Sequence, residues 1–262
     1  MNIVVCVKQV PDTTEIKIDP VKNTLIRTGV PSIMNPFDRN ALEQALKLKE
    51  QSGGTVTAIS MGPDQAKAVL REALAMGADN AYLVTDRAFG GSDTYATSYI
   101  LSQVISKLGP FDVVLGGKQA IDGDTGQTAS SIAEHLDLNR LSYVLDMEMQ
   151  GEKFIVKRQT EEGTEVVEAK LPILCTSTKE SNKPRYATIK GKIASLKADI
   201  PEIHLADMPD MDTTKIGLKG SPTRVKATFT PKRSASGEVI DSVNPDTTAK
   251  ILVGKLVEAK LL

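Results

Sequence analysis

Tryptophan is absent, and five phenylalanines and five tyrosines make up only 4% of the chain. A surface that stacks bases on aromatics between basic residues has no raw material here. The 32 basic residues are balanced by 33 acidic ones, leaving a net charge of −1, so nucleic acid is not an expected partner. Cysteine is scarce too. Cys6 and Cys175 each fall in an apolar, strand-like run, where a small buried hydrophobe is the natural reading, and this usage suits a reducing compartment, the cytoplasm. Histidine is as rare: His135 and His204 have no Cys or second His at metal-ligand spacing, so no metal site is expected. No nucleophile elbow and no HExxH occur. With so thin a catalytic inventory, any chemistry belongs to a bound cofactor. No apolar run approaches the ~18 residues of a spanning helix. The opening Ile3, Val4 and Val5 are too few for a signal-peptide core, so membrane insertion is not expected.

What the chain does have is length and one unusual loop. At 262 residues it can bury roughly three quarters of its unfolded surface, enough for a large domain without disulfides. The loop reads GGKQAIDGDTGQ, from Gly116 to Gln127, after the apolar run Val113, Val114, Leu115 and before helically spaced Ala129, Ile132, Ala133 and Leu136. Strand, glycine-rich turn and helix in that order bring backbone N–H groups and a positive helix end toward a phosphate. Two familiar loops are excluded. A P-loop would need Gly at Asp112 and Ser or Thr at Gln119, and a calcium loop would need Gly at Gln127 and Glu at Ala133. A plain connecting turn is the bland alternative. Against it stands the density of polar groups at the carboxyl end of one strand: Lys118, Gln119, Asp122, Asp124, Thr125 and Gln127.

Strand-like runs (2–7, 55–60, 81–84, 112–116) alternate with helical patterns (36–51, 64–76, 92–108, 125–137) over the first ~138 residues. This predicts an α/β fold, a Rossmann-like parallel sheet with flanking helices. Asn35 is placed to cap the first helix, with Pro36 at its first position and Asp38 at its positive end. An insertion from Asp12 to Val30 suggests a small hairpin. From Tyr143 to Thr176 the period becomes that of strands, with a turn at Glu161, Glu162 and Gly163, and extends the sheet. Residues 1–198 are expected to form the nucleotide domain, including a polar loop over 181–192. Residues 199–262 form an arm rich in Pro, Asp, Gly and Thr, ending in an amphipathic helix with Ile251, Leu252, Leu256, Val257 and Leu261. Such an arm wraps a partner or folds back on its own domain.

Seven motifs in order resemble the β subunit of the electron transfer flavoproteins: VKQVPDT, MNPFD, SMGP, GKQAIDGDTGQ, VKRQTEEG, NKPRYATI and GLKGSP. The resemblance covers nearly the whole chain. It implies a heterodimer with an α subunit, clasped by the C-terminal arm, and an adenine nucleotide held by this chain. In one branch that nucleotide is a structural AMP. In the electron-bifurcating branch it is FAD, which takes electrons from NADH and splits them between ferredoxin or flavodoxin and the α-subunit FAD, serving an acyl-CoA dehydrogenase-like flavoenzyme. VKQVPDT, the run Asp122, Gly123, Asp124 and the segment FGGSDTYATS look more like the bifurcating branch, although Thr128, Ala129 and Ser130 stand where many of its members carry Val-Gly-Pro. A non-redox adenine-nucleotide-binding regulator is a further alternative.

The resemblance places Cys6, the turn Asn35, Pro36, Phe37 and Asp38, Met61, and the loop Gly116, Gly117, Lys118, Gln119, Ala120, Ile121, Asp122, Gly123, Asp124, Thr125, Gly126 and Gln127 around the adenylate portion. Asp122 and Asp124 would repel phosphate and are expected to bond hydroxyls, amides or structural partners. Gly91, Asp93 and Thr94 line the flavin or an approaching nicotinamide, or else Ser92 caps a helix. The loop from Asn182 resembles the family's recognition loop, with Ile189 as the inserted side chain and Arg185 and Tyr186 beside it.

Overall fold

Short runs of Val, Ile and Leu, each followed by a helical stretch, leave the backbone one economical solution: parallel strands joined by crossovers that cover both sheet faces. In a computed structural model, residues 1–12, 31–226, 237–240 and 244–262 are described. The strands are β1 (Asn2–Cys6), β2 (Gln9–Pro11), β3 (Ser32–Met34), β4 (Thr55–Met61), β5 (Asn80–Val84), β6 (Val113–Gly117), β7 (Asn139–Gln150), β8 (Lys153–Gln159), β9 (Thr164–Ala169), β10 (Ile173–Ser177) and β11 (Glu202–Ile203). The helices are α1 (Pro36–Ser52), α2 (Lys67–Met76), α3 (Thr94–Leu108), α4 (Thr128–His135), α5 (Ile189–Lys197), α6 (Gly217–Gly220) and α7 (Pro245–Glu258).

Nine strands form one sheet in the order β11-β5-β4-β1-β6-β10-β7-β8-β9, parallel as far as β7 and antiparallel through β8 and β9. The chain leaves β1 toward β4 and β5, then returns across β1 to form β6. That reversal opens a crevice at the carboxyl ends of β1 and its neighbours, where open α/β sheets bind ligands. Successive residues of β1 feed opposite cores. Ile3 and Val5 pack with Leu42 and Leu70 on one face, while Val4 packs with Ile100 and Leu174 on the other.

The expected α/β fold is present. The sheet extension and its turn are also present, with the Thr160 amide donating to the Gly163 carbonyl at 2.8 Å. The position of β10 was not readable: it enters parallel between β6 and β7. The hairpin expected over 12–30 lies outside the described residues apart from Asp12, but the flanks of that insertion pair as β2 and β3. Within the stretch 199–262, β11 pairs with β5, and Met208, Met211 and Ile216 are buried in the second core. Helix α7 buries none of its residues, and Ile251, Leu252, Val253 and Val257 are exposed. No helix among the described residues is long and apolar enough to cross a membrane.

This contrast has a measurable consequence. Ile203→Ala is expected to cost about 2–4 kcal/mol by leaving a cavity beside β5. Leu252→Ala is expected to change the chain's own stability by no more than about 0.5 kcal/mol. Urea unfolding of the isolated chain checks both, and equal losses would contradict the assignment.

Candidate functional site

The crevice is a cavity of about 550 Å³ at the carboxyl ends of β1, β4 and β6. Its size is that of a small-ligand pocket. Helix α1 builds one wall from its first turn. Pro36 opens the helix and Asn35 precedes it, but the Asn35 side chain makes no capping bond. Instead it is buried and reaches across the chain: its Nδ2 donates to the Gln119 carbonyl at 2.8 Å, and its Oδ1 accepts from the Ile121 amide at 3.3 Å. The expected cap is therefore a brace for the glycine-rich loop. Asp38 is used in the same way. Its Oδ1 accepts from the Gly117 amide at 3.0 Å and its Oδ2 from the Lys8 amide at 2.8 Å. Gly117 has no room for a side chain, since an added Cβ would lie 2.6 Å from that of Phe37 and against Asp38.

The loop 116–127 folds over this support. Asp122 is held by the Lys8 ammonium at 2.6 Å, and the Gln119 amide donates to the Asp124 carboxylate. Both acids thus have structural partners, as their charge required. Asp124 (φ 56°) and Gly126 (φ 63°) adopt the left-handed conformation that turns the chain into α4. Gln127 makes no side-chain cap on α4, and Gln127, Thr128 and Ala129 line the cavity, so the start of this helix offers its amides to a ligand there. Ile59, Met61, Leu101 and Ile132 supply apolar walls, and Cys6 lies between them. Burial, and then the nearby Asp38 charge, push the Cys6 thiol up to about 12, so it is a neutral contact and not a nucleophile.

Of the expected residues, Cys6, Asp38, Met61, Gly91, Asp93, Thr94, Gly116, Gly117, Lys118, Gln119, Ala120, Asp122, Gly123, Asp124, Thr125, Gly126 and Gln127 line this one cavity. Asn35, Pro36, Phe37 and Ile121 stand behind it. Asp93 caps α3 by accepting from the Ala96 amide, and its other oxygen accepts from the Thr223 amide and hydroxyl at 2.9 and 2.7 Å. The cap is thus Asp93, one residue after Ser92. Ser92 donates to the Phe89 carbonyl and accepts from the Gly217 amide. Sequence reasoning missed Lys8, Gln9 and Gln65 on the rim. The signal for Lys8 and Gln9 was their place just beyond the carboxyl end of β1.

On the far side of α1 lies the expected recognition segment. Ile189 is the first residue of α5, not a loop residue, and the Thr188 hydroxyl caps that helix by accepting from the Gly191 amide at 2.9 Å. Tyr186 and Ile189 are 97% and 80% exposed. Arg185 is instead turned inward. Its guanidinium donates to Glu43 at 2.9 and 3.0 Å and to Glu50 at 2.5 Å, and these bonds keep it charged. No cluster of potential metal ligands occurs among the described residues. His135 lies edge-on to Tyr95 and Tyr99, and burial lowers its pKa.

Burial pushes Asp38 up to about 7, against bonds from Asn35, Lys8 and Gly117 that favour the charged form. A carboxyl whose pKa is higher folded than unfolded binds more protons in the native state. Its contribution to stability is complete below its unfolded value of 3.8 and is lost as pH rises through about 7. Relative to Asp38→Asn, the native chain is therefore expected to lose stability between pH 4 and 7. Urea midpoints across that range check this, and parallel curves would refute it.

The sequence has counterparts among known proteins. The electron transfer flavoprotein domain matches residues 22–208. The chain is 55% identical to the electron transfer flavoprotein subunit beta of Thermoanaerobacterium thermosaccharolyticum, over 91% of this chain and 92% of that one. It is 52% identical to the subunit of the same name from Clostridium acetobutylicum, over 98% of both. It is also 48% identical over the full length of both chains to the caffeyl-CoA reductase-Etf complex subunit CarD of Acetobacterium woodii. A crevice at the sheet reversal, a braced glycine-rich loop before an uncapped helix, and these matches together place the chain in the electron transfer flavoprotein family, as a β subunit.

Proposed function

We propose that the cleft binds FAD and that the chain, paired with an α subunit, takes electrons from NADH. It divides them between ferredoxin or flavodoxin and the α-subunit FAD, which passes its share to an acyl-CoA dehydrogenase-like flavoenzyme. The observation that carries this reading is the reach of the cavity. It runs from Cys6 and Met61, past the loop 116–127, to Gly91 and Thr97 at the start of α3. An adenylate would fill only the first part, and the remainder suits the other half of a dinucleotide. Bound FAD would supply the hydride and one-electron chemistry that no side chain here offers.

The chain's own residues would bind and orient it. Ile59 and Met61 offer an apolar slot for adenine. The Thr125, Gly126, Gln127 turn and the open amides of α4 suit a pyrophosphate. The bonds of Asp122 to Lys8 and of Asp124 to Gln119 hold both carboxylates in place beside that anion. The name of the Acetobacterium relative joins a CoA-ester reductase to such a complex, which favours a flavoenzyme of related type as the final acceptor. The exposed apolar face of α7 fits the expected arm around the α subunit, and the outward Ile189 fits a docking contact.

Two measurements test the reading. Nucleotides released from the purified αβ complex are expected to be two FAD per heterodimer and no AMP. One FAD with one AMP would instead assign the chain to the AMP-holding branch. Ile189→Ala is expected to slow electron transfer to the partner dehydrogenase at least several-fold with flavin content unchanged, and an unaltered rate would reject that docking role.

A further inference from the structure

A second cavity, of about 360 Å³, opens beside the cleft and shares Lys118 and Gly126 with it. Its walls carry Lys118, Arg140 and Arg158, the hydroxyls of Ser130, Ser142 and Thr176, and the Tyr143 ring, and among the described residues no acidic one lines it. The cations come from different elements. Lys118 follows β6, Arg140 lies in β7 and Arg158 in β8. They meet where β7 changes register against both neighbours, between Val144 and Asp146 on one side and opposite Cys175 and Ser177 on the other. Tyr143, at that break, has φ 61°, a conformation a bulky residue rarely adopts. Its amide donates to Thr176 Oγ1 at 3.2 Å and its ring lies 4.9 Å from the Lys118 ammonium.

The charges in this pocket are poorly compensated. Lys118 and Arg140 form no ion pair among the described residues. Arg158 Nε forms a loose ion pair with Glu165 at 3.6 Å, beyond hydrogen-bond range, and this buried donor has no hydrogen-bond partner among the described residues. Only the Nε of Arg158 is shielded, its side chain being 29% exposed and Arg140 lying open to solvent, so the three cations converge at an accessible rim where one bound anion would gain from all of them. Planar guanidinium groups, hydroxyl donors and a flexible ammonium match the tetrahedral oxygens of a phosphoryl group.

We infer that this pocket binds a phosphoryl group. Two sources share that chemistry: the bridging pyrophosphate of a dinucleotide lying in the main cleft, and a separate phosphate-bearing ligand entering from solvent. The first rests on the nucleotide reading above and the second stands without it.

The test uses the αβ complex with Arg140→Gln, Arg158→Gln and the charge-keeping Arg140→Lys. Nucleotide retained after gel filtration is measured by chromatography, and pyrophosphate binding by calorimetry at fixed ionic strength. If the nucleotide supplies the phosphate, the Gln variants lose bound nucleotide and Arg140→Lys retains most of it. If a separate ligand supplies it, the Gln variants keep their nucleotide but bind pyrophosphate at least tenfold more weakly, with Arg140→Lys between. Folded variants unchanged in both readouts would overturn the inference. So would a loss confined to αβ affinity, which would assign the cations to the subunit interface. Finding AMP in the main cleft would count against the FAD reading alone, since the pyrophosphate titration still reports on this pocket.

Discussion

The candidate site depends on two buried polar side chains at the start of α1. Asp38 joins the amides of Lys8 and Gly117, and Asn35 joins the backbone at residues 119 and 121. Two segments far apart in sequence, Lys8 and the loop stretch 117–121, are thereby fixed to one helix end. Such groups are tolerated in the interior only because nearly all their bonding capacity is used. The same requirement leaves Gly117 no alternative, because any side chain there would displace the carboxylate that holds the loop.

Helix α1 carries a second set of ties one turn and more along its length. Asn40 donates to the Asn182 carbonyl at 2.8 Å, while Glu43 and Glu50 receive the Arg185 fork. The cleft and the outward segment with Tyr186 and Ile189 are thus mounted on one rigid element. Charge-assisted, two-point bonds limit how far that segment can swing. A docking contact on such a mount needs little ordering when a partner arrives.

Much of this was legible in the sequence where the signal was local. Apolar runs marked β1, β4, β5 and β6, and the glycine-rich loop stood out because polar residues crowd the end of β6. What escaped had non-local causes. Asn35 looks like a cap because its neighbours make a helix start, but its bonds cross 84 residues. The alternation of β7 reads as a plain antiparallel extension, and nothing nearby tells that β10 will slip in beside it. Ile189 follows a good cap in Thr188, yet Gly191 weakens the helical pattern that follows. The hold of residues 202–221 on the α/β unit depends on isolated Met208, Met211 and Ile216, too sparse to form a visible period.

Helix α7 carries a consequence for the life of the chain in the cell. An uncovered apolar face is what chaperones and proteases bind. Copies made in excess of a covering partner would be held back or degraded, while covered copies would escape. The amount of this subunit that persists would then follow the supply of its partner instead of its own rate of synthesis, and the helix would serve as a counter of stoichiometry.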